Sequence, residues 1–360
     1  MDSNIVVDAR EFVPGRITGI GRVLIGLVDA LTGEAVAEQL ILVLPADGEL
    51  PKLLEGRNIK TEVMPASFLK MEKQLTTLTR DADLFISPYP KLPLWGCHCP
   101  CIHTVHDVLN LTHPLYRHTL RNLFERWRLK RALRQADLTW YDSQCSRDET
   151  LKVAGFESKH SEIRSLGVDL LFDATPSQND GNILAGMDLE PGYIIVTGNG
   201  LPHKNLGVVL ACADKLKREI VFVGVSKQNR EYWNDSQIET SVRWLDFVPD
   251  EALPALLRQA YCLAQPSTAE GYGYPPLEAM SCGTPAVVSD IPVLVETTGG
   301  AALTVDPHVP DEWLHAFERL EDENIYNEQC ERGLQWTSSL KGRIGWEAQI
   351  KDIQSLLGTK

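Results

Sequence analysis

A chain of 360 residues is long for one domain and favours two. Its 43% hydrophobic and 23% charged residues are ordinary for a globular protein with a proper core. The formal net charge of −14 excludes general nucleic-acid binding, which needs basic surface to displace counterions, and no apolar run reaches the roughly 18 residues of a membrane span.

The chain opens with NIVVDA (4–9), an apolar run of strand length that does not read as a secretory signal, so a cytoplasmic location is expected. A glycine-containing turn, RITGIGRV (16–23), leads into apolar residues at helical spacing from Val23 to Leu31. Further apolar runs follow at LILVLP (40–45), DLFISP (83–88), PCIHTVHD (100–107) and DLTWYDS (137–143). Short continuous apolar runs separated by helical stretches predict parallel strands buried on both faces. This is the βαβ rhythm of a doubly wound sheet.

Two segments of this half stand out. Cys97, Cys99 and Cys101 alternate ahead of His103 and His106. Zinc sites usually space their cysteines by two or more residues, so the alternation predicts a strand with three thiols on one face, and no metal site is expected. Residues 117–134 oppose the acidic trend, with seven Lys or Arg against one Glu. At helical spacing Leu120, Leu123, Phe124 and Trp127 share a face that runs on into Lys130, Arg131 and Arg134, while Leu129, Leu133 and Ala136 turn the other way. Such a helix suits an anionic membrane or a lipid-diphosphate acceptor. It predicts peripheral contact at the inner face of the plasma membrane.

A polar linker, residues 173–192 (DATPSQNDGNILAGMDLEPG), precedes a second set of runs at YIIVTGN (193–199), EIVFVG (219–224), CLAQPS (262–267) and TPAVVSD (284–290). Two such sets predict two Rossmann-like domains, 1–172 and 173–340, facing across a cleft. Ligands of open α/β sheets bind beyond the carboxyl ends of the strands, so the loops there should carry the chemistry.

The most informative loop is STAEGYGYPPLEAMSCGTPAVVSD (267–290). Glu270 is followed by a turn through Gly271 and Gly273 and by a helix expected to begin near Pro275 and Pro276, where a missing N–H costs nothing. The remaining free N–H groups and the helix dipole suit a diphosphate. Glu270 and Glu278 flank that site.

EGYGYPPLEAM (270–280), followed by CGTPAVVSDIPVLVET (282–297), resembles the donor-site signature of the group 1 (family four) retaining glycosyltransferases of GT-B fold. The likeness is greatest to bacterial mannosyl- and hexosyltransferases of surface polysaccharide assembly. The resemblance implies that Glu270 faces the transferred hexose, that Glu278 binds the ribose, and that Gly271, Tyr272, Gly273 and Tyr274 line the donor. RITGIGRV is similar to the family's first glycine loop, so Gly19 and Gly21 would let backbone approach the donor. HTVHDV (103–108) is similar to its strand-end His-Asp pair, which would put His106 in the catalytic site. Ser143 and Ser146 resemble the next strand-end serines, Gly167-Val168-Asp169 the interdomain crossing, and WEAQIKDIQSLL (346–357) the terminal helix, so that residues 341–358 would return to the N-terminal domain. In TGNGLPHKNL (197–206) Lys204 matches the phosphate lysine, while Asn199 stands where the family usually has arginine.

What the resemblance implies is metal-independent transfer of a hexose, with retention, from a nucleotide sugar to a carbohydrate or lipid-linked saccharide, with no cofactor. GDP-mannose is the first-choice donor and UDP-hexoses follow. A nucleotide-sugar epimerase of the same fold and a catalytically silent sugar-nucleotide sensor remain as alternatives. An NAD-dependent oxidoreductase is not supported, because the third glycine of its fingerprint would fall at position 24, which is leucine.

Overall fold

The computed structural model describes residues 3–15, 18–114, 120–233, 241–246 and 248–358. The chain divides into two compact units, Met1–Gly167 with Gly342–Lys360, and Val168–Lys341. The first crossing falls a few residues before 172, since the Val168 N–H donates to the Leu340 carbonyl at 2.7 Å and Val168 bridges Lys341.

The first unit is built on a parallel sheet of β1 (Asn4–Asp8), β2 (Gln39–Leu44), β3 (Ile59–Val63), β4 (Leu84–Ser87), β5 (Cys101–Val105), β6 (Leu138–Tyr141) and β7 (Ser161–Ile163). Their spatial order is β3-β2-β1-β4-β5-β6-β7. The second unit repeats the plan with β8 (Ile194–Thr197), β9 (Ile220–Val223), β10 (Val242–Leu245), β11 (Cys262–Gln265), β12 (Ala286–Ser289) and β13 (Leu303–Val305), in the order β10-β9-β8-β11-β12-β13. The strand order reverses between β1 and β4 and between β8 and β11, which makes the carboxyl ends of those strands the natural binding crevices.

Every apolar run singled out in the sequence is a strand. The strands not anticipated are β3, β7, β10 and β13, and all are sheet edges. An edge strand is only half covered, so it lacks the continuous apolar run of a strand buried on both faces.

The cysteine alternation does not form a single strand. β5 starts at Cys101, and residues 97–100 are loop, because Pro100 cannot donate to a ladder. Cys97 and Cys99 still pack against the core cluster that contains Cys101, Phe85 and Leu92.

The C-terminal helix, Glu347–Gly358, belongs to the first unit. Asp352 accepts from Arg164 (Nε 2.7 Å, Nη2 2.8 Å) and from Trp140 Nε1 (2.9 Å). Trp346 lies so close to Gly26 and Gly167 that a Cβ at either would sit within 2.8 Å of its ring, so neither position has room for a side chain.

The basic segment forms helix Leu120–Gln135; residues 117–119 lie outside the described residues. Leu129, Leu133 and Ala136 are buried, whereas Leu120, Leu123, Phe124 and Trp127 are exposed by 86, 65, 40 and 50%. The exposed face is extended by Phe68, also exposed. Phe124 stacks on Trp127, Phe68 meets Phe124 edge-on, and the Arg131 guanidinium lies over Trp127. Arg128 is not a surface cation: it is buried, held by both Glu72 oxygens at 3.1 Å and by the Leu92 carbonyl at 2.9 Å. Among the described residues no helix is long and apolar enough to cross a membrane.

Candidate active site

In the first unit the pairing of Val105 with Tyr141 sets the next residues of β5 and β6, His106 and Asp142, side by side at the carboxyl ends of adjacent strands. His106 Nδ1 lies 2.5 Å from Asp142 Oδ2, and Asp142 is almost fully buried. Burial alone would push the imidazole down, but the Asp142 carboxylate outweighs it and holds His106 above its ordinary value. The Pro88 carbonyl, past the end of β4, pulls the same way, although Nε2 is buried without a well-formed hydrogen bond. Ser146 Oγ donates to the His106 carbonyl at 2.6 Å, while Ser143 caps helix Gln144–Ala154 by accepting from the Ser146 N–H at 3.0 Å.

In the second unit the loops after β8 and β11 are knitted together. Thr268 N–H donates to the His203 carbonyl at 2.8 Å, and Asn205, in the left-handed region at φ 51°, donates its amide to the carbonyls of Pro266 (3.0 Å) and Pro307 (2.6 Å). Those bonds fix Lys204 just before Asn205. Its Nζ lies 2.7 Å from Glu270 Oε1. The same oxygen accepts from Ser267 Oγ at 2.6 Å and Gln265 Nε2 at 2.5 Å. Burial would raise the Glu270 carboxyl, but Lys204 and Ser267 outweigh it and hold it below the usual carboxylate value. Asn199 is exposed, with Oδ1 turned back to accept from the Leu201 N–H at 3.1 Å.

The turn after Glu270 is set by Gly273. Its φ of +88° favours glycine, and a Cβ there would lie 2.4 Å from Leu294 Cδ2. Helix Tyr274–Ser281 starts at once, one residue earlier than expected, with no side-chain cap. Tyr272 is buried and meets Tyr274 edge-on at 5.5 Å, and Glu278 is 4% exposed inside the helix.

Two family models match this chain: that of glycosyl transferases group 1 over residues 185–334, and that of glycosyltransferase family 4 over residues 17–171. The first spans Asn199, Lys204, Glu270 and Glu278, and the second spans His106 and Asp142. The chain belongs to the group 1 glycosyltransferases. This glycosyltransferase is 26% identical to the O-antigen chain mannosyltransferase B of Escherichia coli, over 91% of its own length and 94% of that protein. It is also 26% identical to the O-antigen chain mannosyltransferase RfbU of Salmonella typhimurium, over 61% of the chain and 60% of that protein. Among solved structures it resembles Anabaena HepE in complex with UDP-glucose, with a TM-score of 0.78 at 18% identity over 98% of this chain and 99% of that one. WaaG, a glycosyltransferase involved in lipopolysaccharide biosynthesis, gives a TM-score of 0.75 at 12% identity over 99% of this chain and all of that one. Both structural likenesses establish the fold, GT-B.

Of the residues singled out in the glycosyltransferase sequence, Lys204 and Glu270 are in direct contact. Gly271 to Tyr274 form the turn that follows them, and Glu278 lies one helical turn further on. Gly19 and Gly21 are not in a loop. They occupy the first turn of helix Gly19–Gly33, where Thr18 Oγ1 already accepts the Gly21 N–H at 3.1 Å. The exposed Gly19 still has open space where a Cβ would point. Asp142, Gln265 and Ser267 were missed. Their one signal was position, at or just after the end of a buried strand, and that becomes informative only once strand neighbours are known.

Proposed function

We propose that this glycosyltransferase moves a hexose, mannose in the first instance, from GDP-mannose to a carbohydrate or lipid-linked saccharide acceptor in O-antigen or related lipopolysaccharide assembly. The observation that carries the reading is the Lys204–Glu270 pair, fixed at the carboxyl ends of neighbouring strands ahead of the Gly273 turn. The mannosyltransferase relatives support the choice of sugar.

In this reading Lys204 is a preset cation for the donor diphosphate. An ammonium has three donors, and Glu270 takes one, which leaves the others for phosphate oxygens as charge builds on the departing nucleotide. Gly271, Tyr272, Gly273 and Tyr274 line the donor, with the N-terminus of helix Tyr274–Ser281 aiding the anion, while Glu278 meets the ribose hydroxyls. Glu270 acts at the transferred hexose, and His106 is the catalytic histidine of the first unit. Gly19 exposes backbone for close approach, and Asn199 takes no phosphate charge. Because the lysine and the helix terminus supply the positive potential, transfer needs no metal. Retention of configuration follows the family.

The exposed apolar face of helix Leu120–Gln135, beside Lys130 and Arg131, suits peripheral contact with an anionic membrane, where a lipid-linked acceptor would be met. HepE, crystallised with UDP-glucose, favours UDP-hexoses as the second donor class. Incubating the enzyme with GDP-mannose, UDP-glucose and ADP-glucose against a panel of saccharide acceptors tests the reading. The expected outcome is a mannosylated product from GDP-mannose with the anomeric configuration of the donor. Release of a free epimerised sugar nucleotide, or turnover of none of the donors, would overturn it.

A further inference from the structure

Among the described residues, the Asp142 carboxylate is a buried polar group that the proposed chemistry leaves unused although it contacts His106. It sits 1% exposed at the end of β6, and its Oδ2 holds His106 Nδ1 at 2.5 Å. Its other oxygen, Oδ1, has no hydrogen bond. A small cavity behind it is lined by Thr104, Trp140, Asp142, Arg164, Trp346 and Gln349. A buried carboxylate with so few partners is costly to keep, so packing gives no reason for an acid here. On the far side of the imidazole, Nε2 is also without a well-formed bond. One ring nitrogen is clamped by Asp142, and the Pro88 carbonyl acts on the same ring.

We propose that Asp142 is a positioning residue that holds His106 by Nδ1, fixing the orientation of the ring and its tautomer at the carboxyl end of β5. The inference rests on the reading of His106 as part of the active site. The clamp is built from both strands: register places Asp142 opposite His106, and Ser146 Oγ ties down the His106 carbonyl at 2.6 Å. A carboxylate at Nδ1 keeps that nitrogen protonated, so proton gain and loss occur at Nε2. The charged groups facing the ring are Asp142 and the adjacent Asp107, with the Pro88 carbonyl beside them. Both acids and the Pro88 carbonyl favour the imidazolium.

The test compares Asp142→Asn, His106→Ala and the double variant in the full-length enzyme. It follows kcat and KM for GDP-mannose against pH, together with nitrogen-15 NMR of the histidine ring. Asp142→Asn is expected to lower kcat about 10- to 100-fold, the size of effect seen when the orienting carboxylate of a metal-bound histidine is lost, with KM changed less than about threefold. The histidine limb of the pH profile should move to lower pH, and the NMR titration of His106 should move with it. The double variant should be no slower than His106→Ala, because Asp142 acts only through the ring. Asp142→Glu should restore part of the pH shift, and it serves as the probe if the asparagine variant does not fold. An unchanged His106 titration and tautomer in Asp142→Asn overturns the positioning role whatever the activity. Wild-type turnover in His106→Ala overturns instead the reading of His106 on which the inference rests.

Discussion

Lys204 Nζ and Glu270 Oε1 are 2.7 Å apart and both side chains are largely buried, so the cation assigned to the donor phosphates is bound to the acid assigned to the hexose. Lys204 helps hold the Glu270 carboxyl below the usual carboxylate value, and neither can be altered alone without changing its partner. Removing one member of a desolvated charge pair costs about 2–5 kcal/mol. Lys204→Ala is therefore expected nearly to abolish transfer and to raise the Glu270 carboxyl by taking away the largest influence that lowers it. Asn199→Ala, at an exposed side chain, should do less. Donor affinity and turnover of both variants beside Glu278→Ala check this. Retention of more than about a third of wild-type turnover in Lys204→Ala, below about 1 kcal/mol of effect, would falsify the phosphate role.

Activity is expected to survive EDTA. The reason is the lysine and helix terminus at the proposed diphosphate site. Loss of turnover in chelator, restored by magnesium or manganese, would show that a metal supplies part of the charge.

Gly273→Ala tests the turn between Glu270 and its helix. Alanine at φ +88° would also press its Cβ to 2.4 Å from Leu294 Cδ2, and Leu294 is completely buried. The strain of a left-handed non-glycine residue alone is about 1–3 kcal/mol. Thermal unfolding should show a loss of at least that size, with weaker donor binding. A variant with wild-type stability and donor affinity would mean that the helix Pro292–Thr298 gives way freely.

His103 predicts a pH dependence of stability. It is fully buried, bonded through Nε2 to Thr139 Oγ1 at 2.9 Å, and burial pushes its imidazole down to about 4. An unfolded histidine takes up its proton near 6.5. The contribution is thus complete above pH 6.5 and is lost as pH falls toward 4, on the order of 3 kcal/mol in all. His106, raised by Asp142, works in the opposite sense and loses its contribution as pH rises. Denaturant unfolding between pH 4 and 7 should therefore flatten in His103→Gln. An unchanged slope in that variant would assign the acid sensitivity to other groups.

Vesicle binding tests the exposed face of helix Leu120–Gln135. Replacing Leu123 and Trp127 by serine should release most of the protein from vesicles containing an anionic phospholipid, while leaving transfer to a water-soluble acceptor unchanged. Charge reversal at Lys130, Arg131 and Arg134 should act similarly and more strongly at low salt. Equal sedimentation of wild type and both variants would remove the membrane from the function of this face.

Sequence alone determined the central strands of both sheets, the order in which they occur and the loops that end them. A strand covered on both faces must be apolar at successive positions, and β1, β4, β5, β8 and β11 carry that mark without reference to any neighbour. The resemblance to the glycosyltransferase family, carried by motifs in the sequence, also singled out His106, Lys204, Glu270 and the Gly273 turn. The edge strands β3, β7, β10 and β13 were decided by tertiary structure, because a half-covered strand has a mixed pattern that a loop shares. So was the placing of Cys97 and Cys99, which reach the core through a loop, not through the strand their alternation suggested. The contacts within the candidate site were not legible either. His106 meets Asp142 and Lys204 meets Glu270 over separations of 36 and 66 residues. Parallel strands gain their neighbours from crossovers, and only the register of the folded sheet says which strand ends stand together.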